Sequence, residues 1–287
     1  MSGHADALVH LLDLEQVSAA TFRGRTAQTG LPRVFGGQVA AQALVAAGRT
    51  VPADRPVHSL HAYFLRPGDP SVLIDYEVDL IRDGRSFTTR RVVAIQHDEA
   101  IFHLSASFHV AESGLEHQVA MPDAPDPAFL PTLGERLAPY AAEIGERFEL
   151  LRPIDFRYVG APPITISGGD LREPRQQVWL RTDGALPDDP LIHVCAVTFA
   201  SDFTLLDSVL LAHGKSWGRG EIRGASLDHA MWFHRPFRAD EWLLYDQESA
   251  TAYGGRGLAR GHLFGADGRL LVSVVQEGVL RVLPPRP

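Results

Sequence analysis

The chain has one cysteine, Cys195, in 287 residues. No internal disulfide is possible, and no metal cluster built on cysteines can form. Cys195 lies on an apolar helical stripe, where a lone cysteine acts as a small buried filler. Positive charge is also short: 27 Lys and Arg face 35 Asp and Glu, a formal net charge of −8. No long basic run occurs. Nucleic acid is therefore not an expected partner, and neither is an electrostatic membrane anchor. No run of about 18 apolar residues is found, so stable membrane insertion is not expected. The N-terminus, MSGHADALVHLLDLEQVS, holds acids and no basic block ahead of an apolar one. It reads as a short amphipathic helix rather than a signal peptide. A cytoplasmic location is the simplest reading of these absences.

What is present is apolar and repeated. The chain is 45% hydrophobic and 22% charged, which suits a globular protein with a full core. Its length is comfortable for two domains. HAYFLRPGD (61–69) is followed by RDGRSFTTRRVVAIQHDEAIFHLSASFHV (82–110). HAMWFHRPFRADEW (229–242) is followed by AYGGRGLARGHLFGADGRLLVSVVQEGVLR (252–281). Arg66-Pro67 and Arg235-Pro236 lie 169 positions apart, as do Asp98 and Asp267. The expected organisation is a first unit at 1–115, a linker with a short helix at 116–150, and a second unit at 151–287.

Each unit opens with a predicted helix. One starts at Gly36 and ends near Gly48, a fitting stop. The other is capped by Asp188 or Asp189, with Pro190 at the first helical position. Strand-like runs follow in the first unit, VHSLHAYFL, VLIDYEVDLI, SFTTRRVVAIQ and AIFHLSASFHV, separated by turns such as Asp83-Gly84. One helix against an antiparallel sheet buries the apolar faces of both.

The second helix carries an anomaly. Through AVTFASDFTLLDSVL (196–210) and the residues just before it, the apolar Ile192, Cys195, Ala196, Phe199, Phe203 and Leu206 recur at helical spacing. Asp202 falls near that stripe, where an ionised carboxylate is costly unless partners compensate. It is either a catalytic acid or a structural one facing a crevice or an arginine. Aligning Phe35 with His193 puts Gly36-Gly37 in the first helix opposite Val194-Cys195, and Leu44 opposite Asp202. The glycine pair at a helix start either admits a ligand oxygen to free backbone N–H groups or permits tight packing.

The motifs VFGGQVAAQAL (34–44), HSLHAYFLRPGD (58–69), RDGRSFTTRRV (82–92), ASDFTLL (200–206), LDHAMWFHRPF (227–237) and VVQEGVLR (274–281) span nearly the whole chain. In them the chain resembles the type II acyl-CoA thioesterases. The resemblance implies an α+β double hotdog: two tandem units, each a long helix wrapped by an antiparallel sheet, with the sheets joined side by side. It implies hydrolysis of acyl-CoA, with no cofactor and no metal. It puts Asp202, Ser226 and Gln276 on the attacking water; the helix start read above would set Gly36, Gly37 and Gln38 at the substrate carbonyl. A carboxylate can take a proton from water, and Ser226 and Gln276 can orient it. A thiol with a pKa of about 8.5 leaves without a strong acid. With shifts of 158 and 169, the first unit has Leu44, Val57 and Ser107 at the matching places, so one site per tandem pair is expected between the halves. A non-catalytic acyl-binding or interaction module on the same fold is the alternative. Open sheet edges suggest a homodimer or larger homo-oligomer.

GKSWG (214–218) matches a nucleophile-elbow pattern but lacks the strand before it that the elbow needs. The histidines form no credible metal set. The RDGRSFTTRR cluster reads as a solvated hairpin or a phosphate contact.

Overall fold

The computed structural model describes residues 4–27, 30–140, 152–165, 170–217 and 222–284. A first helix, α1 (Ala5–Leu12), buries Ala5, Leu8 and Leu12, which is the amphipathic spacing expected of it. Strands β1 (Glu15–Gln16) and β2 (Thr21–Gly24) precede the central helix α2 (Gly36–Gly48). Then come β3 (Val57–Phe64), β4 (Ile74–Asp83), β5 (Phe87–Gln96) and β6 (Glu99–His109). The connecting segment holds α3 (Leu133–Leu137), started by a Thr132–Glu135 capping box. A 3-10 turn, Ala138–Tyr140, follows it, and the remainder of the short helix expected in the linker lies outside the described residues.

The second unit repeats the order. It contains β7 (Ile154–Tyr158), β8 (Arg175–Thr182), the central helix α4 (Pro190–Ser201) and a short α5 (Asp207–Leu211). Strands β9 (Ile222–Ser226), β10 (Asp228–Phe233), β11 (Leu243–Tyr253), β12 (Arg256–Gly265) and β13 (Leu270–Val282) follow. All strands join one sheet in the order β1-β2-β4-β5-β6-β3-β10-β13-β12-β11-β8-β7, with β9 also on β13. The order is palindromic about the β3–β10 seam, where Ala230 pairs with His61. This is the double hotdog: one long antiparallel sheet with a helix pair against it.

Eleven residues of α2 are buried, Gln38 and Gln42 among them, so the helix is buried all round rather than on one face. That is the signature of a helix inside a core. It packs against β4, β5 and β6 on one side and α4 on the other. The two central helices run antiparallel. A Cβ on Gly48 would meet the Leu191 side chain at 2.6 Å, and one on Gly37 would meet Phe199 O at 2.5 Å. Two glutamines of α2 are also buried, and both are satisfied. Gln42 donates to Leu11 O and Arg25 O and accepts from the Tyr76 hydroxyl.

Three expectations need correction. Asp202 is not mid-helix: α4 ends at Ser201, and Asp202 is the residue that closes it. The helices begin at Gly36 and Pro190 and close at Arg49 and Asp202. The first-unit counterpart of Asp202 is therefore at the end of α2, at Gly48–Arg49, one turn beyond Leu44. The sheet register also slips once. Arg90 pairs with Ala106, whereas its counterpart Ala259 pairs with Gln276. The first-unit counterpart of Gln276 is thus Ala106, not Ser107. The cause is the hairpin turn. His97 and Asp98 make a tight turn with both φ angles positive, while the second hairpin uses a longer loop with Gly268 at φ 82.

Candidate active site

The described site forms where the start of α2 meets the end of α4. Phe35 precedes α2 with an extended backbone and offers no side-chain cap, so the first-turn N–H groups of α2 have no partner within the helix. Asp202 faces that gap: the Gly37 N–H lies against its carboxylate and favours the ionised form. A Cβ on Gly36 would lie 2.8 Å from Asp202 Oδ2 and 2.8 Å from Phe64 Cε1. Only glycine lets the carboxylate come this close to the helix.

The second unit supplies the rest. Gln276 Nε2 donates to Asp202 Oδ1 at 2.6 Å and to Ser226 Oγ at 2.8 Å. Ser226 Oγ donates to Asp202 Oδ1 at a longer 3.3 Å. Ser226 ends β9 opposite Gly278, two residues past Gln276 on β13, so one strand pair delivers both groups. A Cβ on Gly278 would meet Leu206 Cδ1 at 2.5 Å, which seats the loop after Asp202 directly on this strand.

Burial is the largest influence on Asp202 and raises its pKa to about 6. The bonds from Gln276, Gly37 and Ser226 oppose it, as does the Arg33 charge. Two helix ends add competing influences. The carboxylate sits at the negative end of α4 and faces the positive start of α2. Arg33 also donates to Gly224 O at 2.7 Å, tying the segment before α2 to β9. An aromatic cluster lies alongside. Phe35 stacks on Phe203 at 4.2 Å and meets Phe199 edge-on at 5.4 Å. Chemically, this is a carboxylate able to accept a proton near neutral pH, two oriented polar groups, free helix N–H groups and an apolar wall.

The described site thus takes a helix start from the first unit and a carboxylate, hydroxyl and amide from the second. Residues 23–109 match the model of the acyl-CoA thioesterase N-terminal domain, and residues 149–279 match the acyl-CoA thioesterase model. Acyl-CoA thioesterase 2 of Haemophilus influenzae is 40% identical, over 98% of this chain and 99% of that protein. The chain belongs to the acyl-CoA thioesterase family. The crystal structure of acyl-CoA thioesterase II TesB2 from Mycobacterium marinum is 46% identical and superposes with a TM-score of 0.80, covering 96% of this chain and 98% of that one. A hot dog protein of unknown function from Alicyclobacillus acidocaldarius, 18% identical, also has a TM-score of 0.80, over 97% of this chain and 99% of that one. It shows the fold alone. The thioesterase hydrolyses acyl-CoA, and that settles the alternative of a non-catalytic module against it.

The other candidate residues of this thioesterase fall as follows. The Gln38 side chain points away from the site. Its amide donates to Arg25 O and accepts from Ala27 N, both at 3.1 Å, so only its backbone N–H remains at the helix start. Ser216 is buried behind a helix and a turn, not at a strand-to-helix elbow; Gly218 of that motif lies outside the described residues. Arg90 of the basic cluster is buried on Asp83 and Thr50, and Arg91 pairs with Asp79. These are structural pairs.

In the first unit Val57 stands for Ser226 and Ala106 for Gln276, and the helix ends in Gly48 and the closing Arg49, whose side chain turns to Leu14 O and Asp13. Sequence reasoning missed the Gly37 bond, Arg33, and two buried neighbours. Tyr245 donates to Ser201 O at 3.4 Å. His229 has Nε2 at 2.9 Å from Ser201 Oγ. His229 stands in the LDH motif at 227–229 and was legible as a residue, but not as a neighbour of the acid.

Proposed function

We propose that the thioesterase uses Asp202 as a general base on water, without a covalent acyl-enzyme. The convergence of Gln276 Nε2 and Ser226 Oγ on one oxygen of Asp202 carries this reading. The long Ser226–Asp202 contact is the one that an entering water replaces. That water then donates to Asp202 and is oriented by Ser226 and Gln276. A base titrating near 6 is matched to work at neutral pH, since it is ionised yet still basic enough to accept a proton.

The thioester carbonyl approaches the start of α2. Because the Gly37 N–H is engaged by Asp202, the oxyanion falls to the Gly36 and Gln38 N–H groups, helped by the positive helix end. Attack forms the C–O bond as the water proton passes to Asp202. Collapse breaks the C–S bond, and the proton on Asp202 can return to the departing thiolate. The Phe35–Phe203 stack offers the acyl chain an apolar wall. His229 is buried behind Gln276, so Ser226 lacks a histidine base of the kind that activates a nucleophilic serine.

The test is thiol release from palmitoyl-CoA, followed with a thiol-reactive dye, for wild type and Asp202→Asn. Full activity in the variant overturns the base assignment. An acyl adduct on Ser226 or Ser216, found by mass spectrometry after acid quench, overturns the non-covalent scheme.

Two finer readings go with this one. The sheet terminates at β1 and β7, and an open edge suits pairing with a second copy; a monomer by light scattering argues against that. Among the described residues no helix is long and apolar enough to cross a membrane. Together with a single, buried cysteine, this supports a cytoplasmic enzyme, to be checked by cell fractionation.

A further inference from the structure

Behind Gln276 stands His229. Ala230 pairs with Val275 and Met231 with Val274. Continuing that register by one residue sets His229 beside Gln276 on the helix-facing side of the sheet. Both are buried, at 1% and 0% exposure. Both hydrogens of the Gln276 amide are committed, one to Asp202 and one to Ser226. Its Oε1 is buried with no partner at full hydrogen-bond geometry, and so is His229 Nδ1. Gln276 nonetheless acts on the ring as an acceptor facing an N–H does, raising the histidine's proton affinity. The other ring nitrogen, Nε2, is 2.9 Å from Ser201 Oγ.

We propose that His229 is a positioning residue: as the neutral Nδ1–H tautomer it donates to Gln276 Oε1 and holds the amide with its N–H groups toward Asp202 and Ser226. Three arguments support this, and all rest on Asp202 acting as the base. A serine hydroxyl has one proton. Ser201 can give it to His229 Nε2 or to Thr198 O, 3.0 Å away; the Met231 sulfur at 3.6 Å is a weaker acceptor than either. Only the first choice leaves Nδ1 protonated. The second puts the Nδ1 lone pair against Oε1, two acceptors buried together, which is the arrangement that costs most.

The second argument concerns the amide itself. A flipped Gln276 places Oε1 at 2.6 Å from Asp202 Oδ1. That contact is tolerable only when Asp202 is protonated, and a protonated Asp202 is no base. A donor fixed on Oε1 therefore keeps the acid ionised. Third, burial lowers the His229 pKa to about 4, so the ring stays neutral across the working range and its tautomer is the only variable. The other groups facing Asp202 are the Gly37 N–H and the Arg33 charge, with the buried Tyr245 nearby; none touches Gln276 Oε1 among the described contacts.

The test uses the asymmetry of the two ring nitrogens. In His229→Asn the amide nitrogen falls near the place of Nδ1. In His229→Gln it falls near Nε2. The asparagine variant is expected to keep kcat within about threefold, the glutamine variant and His229→Leu to lose ~10–100-fold in kcat with KM little changed, the scale of one buried polar group left unpaired. In the latter two the acidic limb of the kcat/KM profile moves to higher pH, because the flipped amide favours protonated Asp202. In isotope-labelled wild type, the histidine nitrogen shifts are expected to report a protonated Nδ1 from pH 6 to 8. An Nε2–H tautomer overturns the proposal. So do equal losses in the asparagine and glutamine variants with an unmoved acidic limb. If the variants do not fold, the wild-type tautomer decides alone. It is read without turnover, so its failure is distinct from failure of the base assignment, which Asp202→Asn tests.

Discussion

Asp202→Asn should make the protein more stable while it stops turnover. The carboxyl titrates at about 6 in the fold against 3.8 in the open chain. The folded state therefore binds this proton more tightly. The stability it contributes is fully present below about pH 4 and is lost as pH rises through about 6. Above that, the ionised group costs the fold at most about 3 kcal/mol. Asparagine carries no charge to desolvate, and its oxygen still accepts from Gln276. Its amide nitrogen, however, meets the Gly37 N–H, donor against donor, which offsets part of the gain. The expected net at pH 8 is ~1–2 kcal/mol, a rise in Tm on the order of 5 °C for a chain of this size. The assay is urea or thermal unfolding of both proteins from pH 4.5 to 8, alongside the thiol-release rate. Asp207 is also buried, and its pKa is raised to about 7. It titrates alike in both proteins and drops out of the difference. kcat should fall ~10²–10⁴-fold. A variant no more stable at pH 8, with a stability difference flat across that range, would refute the desolvated-carboxylate argument.

Four further outcomes are expected. The kcat/KM profile should fall on the acid side with a midpoint near pH 6, since only the ionised Asp202 accepts the water proton; a flat profile down to pH 5 contradicts the assignment. Gly36→Ala should cost at least ~10-fold in activity with little change in Tm, because the new methyl meets a carboxylate oxygen and a phenyl edge that can shift. Gly37→Ala should instead lower stability by ~1–3 kcal/mol, because its methyl meets the Phe199 carbonyl, and backbone cannot yield without separating α2 from α4; unfolding curves distinguish the two. Ser226→Thr should keep most activity and Ser226→Ala lose ~10-fold or more in kcat, as expected for a hydroxyl that orients water rather than one that forms the acyl bond.

Local signals were legible in the sequence, and their spatial consequences were not. Asp189 caps α4 by accepting from the Leu191 N–H, with Pro190 at the first helical position, because capping depends only on neighbours along the chain. The four long strands of the first unit begin and end within two residues of their expected limits for the same reason. The end of α4 was hidden. The apolar rhythm carries on through Phe203, Leu206 and Leu210 without glycine or proline, because the chain turns and re-enters a helix while staying buried. The slip between Ala106 and Ser107 came from one extra residue in a hairpin, which flips the face of every residue after it. Gln38 sits next to the glycine pair in sequence, yet its partners, Arg25 and Ala27, lie on the segment after β2. A buried amide that satisfies distant backbone cannot be told from a site amide without coordinates.

The asymmetry between the two units follows from one geometric fact. Antiparallel helices bring the start of α2 to the end of α4, and equally the start of α4 to the end of α2. Two identical units would make two sites. At the second junction the start is Pro190, which has no N–H to offer, and Leu191, whose side chain presses on Gly48. There a carboxylate at the position of Gly48 would collide with leucine and find Val57 and Ala106 where a hydroxyl and an amide are needed. The junction at Asp202 concentrates the costs instead: a buried charge, a glycine pair and two buried polar atoms, Gln276 Oε1 and His229 Nδ1, that meet short of full hydrogen-bond geometry. The apolar junction supplies packing that offsets them. The fold can thus carry one desolvated carboxylate because its twin position was given up to the core.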